Sequence, residues 1–207
     1  MHFFFRFTWS AGSKSNCVSI DGSAFSSADT WHYVVVTWDG SSMVLYVDGA
    51  ETTTGVQADF ANCLEYTGQL VFGQNGDFAS EKNLGMEQDT VATYNRAWAA
   101  SEIVPGRRYV VSDDSNLHAL WSDSTGTDYT DNGNAASVKR SSAGTGCTEA
   151  LKLNGWVYRS VMSSGSWVFP TGQSSYYFKS ASTFGLSRKH TIETWVKPYS
   201  TSSNYIW

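Results

Sequence analysis

Charge is the scarcest thing in this sequence: only 16% of its 207 residues are Asp, Glu, Lys or Arg, where soluble domains carry about 25%. No run of Lys or Arg occurs, so the stripe that tracks a phosphate backbone is missing and a nucleic-acid partner is not expected. Arg107-Arg108 and Lys139-Arg140 are isolated pairs and read as solvated loop charges. No stretch approaches the roughly 18 apolar residues of a membrane span. The first residues, MHFFFRFTW, lack a basic leader, and Arg6 and Thr8 interrupt any apolar core, so they do not read as a signal peptide. They alternate with the period of a strand instead, so the chain is expected to begin inside one. No Asn-x-Ser/Thr sequon occurs, and N-glycosylation is not expected. Cysteine is scarce too. Cys17, Cys63 and Cys147 lack the spacing of a metal cluster. An odd count allows one disulfide and a leftover thiol; Cys63 with Cys147, both in polar loop sequence, is the expected bridge. Three unpaired thiols are the alternative, and the redox compartment decides between them.

What is abundant is aromatic: nine Trp, eleven Tyr and eleven Phe make up 15% of the chain. That excludes intrinsic disorder, which needs few aromatics and many charges, and it suits half-buried pleated strands. Residues 31–38, WHYVVVTW, place Tyr33, Val35 and Thr37 on one face and His32, Val34, Val36 and Trp38 on the other. Asp39-Gly40 turns the chain, Met43 to Val47 returns, and Asp48-Gly49 ends that strand; Asp-Gly between apolar runs is a strong hairpin signal. Further strands are expected at 70–72, 88–94, 117–121, 150–153, 176–179 and 191–196. Only Trp98 to Ile103 suggests a helix, of no more than a turn or two. Many short strands with Gly-bearing turns predict an all-β antiparallel sandwich or jelly roll.

Residues 31–49, WHYVVVTWDGSSMVLYVDG, resemble the central hairpin of laminin-G-like and pentraxin-like jelly rolls of the concanavalin A-like type. Leu70-Val71-Phe72-Gly73, then Asp89 through Tyr94-Asn95-Arg96-Ala97-Trp98 and Ser101-Glu102-Ile103, are similar to that family's closing motifs. The second half resembles its opening: Leu120 to Gly126 with Asp131-Asn132-Gly133-Asn134, Ala150 to Gly155, and His190 to Pro198, HTIETWVKP. The resemblance implies one jelly-roll equivalent in permuted order, with a closing half at 1–103, a linker at 104–116 and an opening half at 117–207. Half a jelly roll leaves bare strand edges and an uncovered apolar face. Three arrangements supply the rest: a circular permutant, one period of a tandem array, or pairing with the complementary half of a neighbouring subunit. The last propagates into a fibre, because a head-to-tail contact does not close.

Chemistry is harder to find. Retaining glycoside hydrolysis needs two carboxylates about 5–5.5 Å apart. Glu87-Gln88-Asp89-Thr90-Val91-Ala92 begins such a pattern and lacks the second glutamate; Glu193 stands alone in its strand and reads as a satisfied or exposed acid. No Gly-x-Ser-x-Gly elbow or phosphate-cradling loop occurs. His2, His32, His118 and His190 lack metal spacing, and His32 reads as a structural part of the hairpin. The chain is not expected to be an enzyme. The resemblance implies a structural Ca²⁺ held by Asp123, Asp131 and Asn134 with Asp89, a set of oxygen donors suited to a hard cation, although Ser122 stands where the family often has Asp. Glycan binding is the alternative. Trp156, Tyr158, Trp167, Tyr176 and Tyr177 lie near polar loops, but alternating aromatics more often fill a sandwich core. The expected role is a non-catalytic extracellular or cell-surface building block whose partners are copies of itself.

Overall fold

A computed structural model describes residues 2–8, 15–21, 25–40, 42–52, 71–72, 86–107, 114–121, 130, 136–140, 167–169, 176–180, 189–199 and 205–206. The fold is all-β. Thirteen strands are described: β1 His2–Thr8, β2 Ser15–Asp21, β3 His32–Trp38, β4 Met43–Val47, β5 Ala50–Glu51, β6 Val71–Phe72, β7 Met86–Tyr94, β8 Leu117–Trp121, β9 Ala136–Arg140, β10 Trp167–Phe169, β11 Tyr176–Ser180, β12 His190–Pro198 and β13 Tyr205–Ile206. The expected helix is a single 3-10 turn, Ala100–Glu102.

The largest sheet has seven strands in the order β10-β7-β12-β3-β4-β5, and β8 shares the edge of β7 with β10. Two three-stranded sheets, β13-β1-β2 and β6-β11-β9, accompany it. Each sheet mixes strands from before and after residues 104–116.

The hairpin of β3, β4 and β5 forms for local reasons. Every residue of β3 is buried, which is why its sequence is apolar on both faces rather than on one. At the first turn Asp39 Oδ1 accepts the amide of Ser42 at 2.7 Å, and Gly40 takes φ +97°. At the second turn Asp48 and Gly49 both have positive φ, +52° and +85°, the combination of a type I′ turn, whose twist matches that of the flanking strands. Gly49 is needed twice over: a Cβ there would stand 2.6 Å from the ring of Pro105. The chain after β7 is thus seated on the end of the hairpin.

At the centre lies β12, antiparallel to both neighbours, with Glu193 opposite Val35 on β3 and Ala92 on β7. Between Thr194 and Trp195 the register with β7 slips. Thr90 is the extra residue, at φ +43°, a strained conformation for a β-branched side chain. The bulge has a geometric consequence. Ala92, Asp89 and Glu87 all come to the face that carries Glu193 and Trp195.

Candidate functional site

On that face a carboxylate is enclosed in aromatic walls. Glu193 is wholly buried. Its two oxygens accept the hydroxyls of Tyr33 and Tyr94, each at 2.6 Å, and Arg107 Nη1 stands 3.8 Å from Oε2. The alternation of β3 delivers Tyr33, the end of β7 delivers Tyr94, and the segment after the 3-10 turn delivers Arg107. Trp195 stacks on Tyr33 with 4.9 Å between ring centroids, Tyr94 packs on Trp98 at 4.5 Å, and the Arg107 guanidinium lies 5.0 Å over Trp98. Tyr33, Val35, Tyr46, Ala92, Tyr94, Trp98, Ile103 and Trp195 form one core cluster around the acid.

Desolvation pushes the Glu193 carboxyl up to about 7, against the two hydroxyl donors and Arg107, which act to lower it. The same burial, together with the neighbouring acid, raises both tyrosine hydroxyls, so they remain donors. A perturbed carboxyl is often a sign of catalysis. Here both oxygens are bonded and no surface of the residue is open, so the arrangement suits a pin between strands rather than a proton-transfer group. Arg107, read from sequence as a solvated loop charge, is instead buried, its side chain only 8% exposed. It donates to the carbonyl of Glu102 at 3.0 Å, and its own carbonyl accepts the indole N–H of Trp195 at 2.8 Å.

Farther along β7 the same face carries Glu87 and Asp89. Lys197 and the hydroxyl of Tyr199 both engage the Glu87 carboxylate; burial and that acid push the Tyr199 hydroxyl up to about 12. Asp89 is buried, with Oδ1 accepting the Thr90 hydroxyl at 2.9 Å. With the bulge counted, the position where a second catalytic glutamate would follow on this face is Ala92.

Two polar clamps hold the frame. His32 sits with both ring nitrogens against acceptors: Nδ1 is 2.7 Å from Asp48 Oδ2 and Nε2 is 2.9 Å from the carbonyl of Ser27. Neither acceptor can donate, so both bonds require the doubly protonated imidazolium. Burial acts to lower the His32 pKa, but the bonds to Asp48 and Ser27 outweigh it, and the net direction is up. Asp48 is also the acceptor for the Tyr33 amide at 2.9 Å, and its carboxyl is held below the usual range by His32 and that amide, against desolvation. The second clamp is Arg96. It binds Glu102 and Asp114 at once, at 2.8 and 2.7 Å, while Asp114 Oδ1 accepts the amide of Asn116 at 2.8 Å. The crossover into β8 is thereby tied back to the end of β7.

Residues 3–104 match a laminin-G family model of the concanavalin A-like lectin/glucanases superfamily. That stretch belongs to this superfamily. No curated protein matches the chain. Membership fits the hairpin and closing motifs, and it covers β3, β4 and β7. The matched range stops at 104, so β8, β10 and β12 lie outside it although they build the same sheet. The superfamily's name spans sugar binders and sugar hydrolases, and function must be argued from the site.

Of the calcium set expected from sequence, Asp89 is placed as above, while Asp123, Asp131 and Asn134 lie outside the described residues, as do Cys63 and Cys147. Among the described residues no group of three His, Cys, Asp or Glu is arranged to hold a metal, and Asp89 is the one described carboxylate of the expected set. The aromatics considered for glycan contact, Trp156, Tyr158, Trp167, Tyr176 and Tyr177, also fall outside what is described of side chains. Among the described residues no helix is long and apolar enough to cross a membrane.

Proposed function

We propose that the chain is a non-catalytic structural and adhesive module of the extracellular space or cell surface. In this reading residues 1–103 are the closing half of a jelly roll, 104–116 the connector and 117–207 the opening half. Complementation between such halves repeats the module in a tandem array or a filament of identical copies. One observation carries the complementation of the halves: within the chain, β12 lies between β3 and β7, which do not pair with each other. Without β12 the matched half would present two bare strand edges and an open apolar face, a state that a sheet does not tolerate in water.

The non-catalytic part rests on the carboxylates. Ala92 stands where a second acid would be needed, Glu193 is sealed, and Glu87 is engaged by Lys197 and Tyr199. A structural Ca²⁺ at Asp89, Asp123, Asp131 and Asn134 belongs to the same proposal; addition of CaCl2 after chelation should raise the melting temperature, and Asp89→Asn should abolish the rise.

Negative-stain images and light scattering across a concentration series of the full chain test the central claim. Ordered filaments or end-to-end chains are expected. Monodisperse globules that bind members of a glycan array would replace this reading with a lectin one. Hydrolysis of a β-glucan that disappears in Glu87→Gln would overturn the assignment as non-catalytic.

A further inference from the structure

Residues 103–107 cross the aromatic face of the large sheet and belong to none of the described strands. Ile103 enters the core cluster. Val104-Pro105-Gly106-Arg107 then makes a tight turn, with the Arg107 amide donating to the carbonyl of Val104 at 3.2 Å. Proline second and glycine third, the glycine at φ +69°, are what a type II turn requires. A Cβ on Gly106 would meet nothing within 4 Å, so this glycine serves the backbone and not a contact. The tip from Val104 to Gly106 is exposed, while the turn aims Arg107 inward. Its guanidinium stands 3.8 Å from Glu193 and 3.4 Å from the Tyr33 hydroxyl, and its carbonyl takes the Trp195 indole N–H. Outside that point the support is thin: Pro105 rests on the hairpin end at Gly49, and Arg107 bonds back to Glu102 just before the segment.

We infer that residues 103–107 are a proton-gated strap, shut over Tyr33 and Trp195 while Glu193 carries its proton and lifting as the carboxyl ionises. The direction follows from what the strap covers. A carboxylate sealed from water is costly unless its charge is fully compensated. Two tyrosine hydroxyls and one guanidinium compensate it only in part, since burial still keeps the carboxyl up at about 7. Lifting the strap returns water to the ionised group. The open state therefore holds the proton less tightly, and loss of the proton shifts the population toward it.

Around Glu193, β3 contributes Tyr33, β4 Tyr46, β7 Tyr94 and the strap Arg107. Burial raises all three tyrosine hydroxyls, and a guanidinium is a permanent cation, so none of these changes charge between pH 5.5 and 8. Glu102 of the 3-10 turn pairs with Arg96. Farther along the face Glu87 is engaged by Lys197 and Tyr199, and Asp89 accepts the Thr90 hydroxyl. The competing source of pH dependence is His32, on the opposite face of β3. Its partner Asp48 adjoins Gly49, the seat of Pro105, and its pKa is raised from 6.5.

Hydrogen exchange of the full chain reads the strap, by mass spectrometry over residues 98–107 and by nuclear magnetic resonance at the Trp195 indole. Corrected for the intrinsic pH dependence of exchange, protection there should fall roughly tenfold or more from pH 5.5 to pH 8. It should also lie below that of the β3 amides, as local opening requires. In Glu193→Gln the strap should be equally protected at both pH values. Wild-type protection that stays level or rises would overturn the inference. So would a fall that persists in Glu193→Gln, which would belong to His32, or strap protection equal to that of β3, which would belong to global unfolding. Should Glu193→Gln fail to fold, Gly49→Ala gives the reciprocal reading, because its Cβ would stand 2.6 Å from Pro105 and lift the strap. Carbon-13 resonance should then find the Glu193 carboxyl roughly tenfold or more stronger as an acid than in the wild type. An unchanged or weaker acid would overturn the inference as well.

Discussion

The two faces of β12 are equally buried and differently built. On one, Ile192, Thr194 and Val196 join Val34, Val36, Val91 and Trp121 in a largely apolar interior. On the other, Thr191, Glu193 and Trp195 reach named acceptors and donors under the cover of Trp98 and Arg107. Apolar burial is non-directional and scales with area, so the first face rewards any strand of suitable bulk. Buried hydrogen bonds are costly when left unmade, so the second rewards one register and one sequence. The difference between the faces is the difference between stability and specificity. Mutations should separate the two.

Ile192→Ala strikes the apolar face. Ile192 has no exposed surface, and truncation at such a site costs about 4 kcal/mol, from lost burial and the cavity left behind. Urea denaturation should record that loss equally at pH 5 and pH 7, because no titrating group is touched. A loss below about 1 kcal/mol would show that this face is not the source of stability.

Glu193→Gln strikes the other face and should show itself through pH. The folded carboxyl titrates at about 7 and the unfolded one near 4.5. Between those values the folded state holds a proton that the unfolded state has released, so wild-type stability falls as pH rises through that window. The full difference corresponds to about 3 kcal/mol. Glutamine carries no such proton, so the variant's stability should be flat over the same range, and the wild type should lose about 3 kcal/mol relative to it between pH 4.5 and pH 7. A wild-type curve already flat between pH 4.5 and 7 would mean that the tyrosine hydroxyls and Arg107 keep the carboxylate ionised throughout.

Much of this architecture is legible in the sequence and some of it is not. The hairpin from His32 to Gly49 is readable because alternation, Val-rich bulk and two Asp-Gly turns all agree. The strands at 43–47 and 117–121 fall where periodicity puts them for the same reason. By contrast, β2, β9 and β10 lack a strong alternating signal. The bulge at Thr90 is invisible, since nothing about a threonine announces a left-handed backbone. Yet that one residue decides which face Glu87 and Asp89 occupy. Glu193 is visible as a lone acid in an apolar strand, which marks it as needing partners. Those partners, Tyr33 and Tyr94, are 160 and 99 residues away in sequence, a pairing that propensity and period cannot supply. Arg107 misleads for a related reason: beside Arg108 it looks like surface charge, and only the docking of its segment over Trp98 buries it.

The smallest expected effect lies at the corner where the hairpin meets residues 25–30, and it sharpens the contrast by titrating from the other direction of charge. His32 has its pKa raised in the fold, and Asp48 has its own lowered. The histidine's contribution is therefore fully present below its unfolded value of 6.5 and is lost as pH rises through the higher folded value. The aspartate's contribution is present above its unfolded value of 3.8 and is lost as pH falls through the lower folded one. The bond is thus intact between those limits. With the Asp48 side chain 44% exposed, solvent screening holds the coupling to about 1 kcal/mol. Asp48→Asn should lower stability by that amount at pH 5.5, with the deficit shrinking above the folded His32 value, where wild type has lost its imidazolium as well. Nuclear magnetic resonance of the His32 ring should show both nitrogens protonated at pH 6.5. A neutral tautomer there would mean that Asp48 holds the turn through the Tyr33 amide alone.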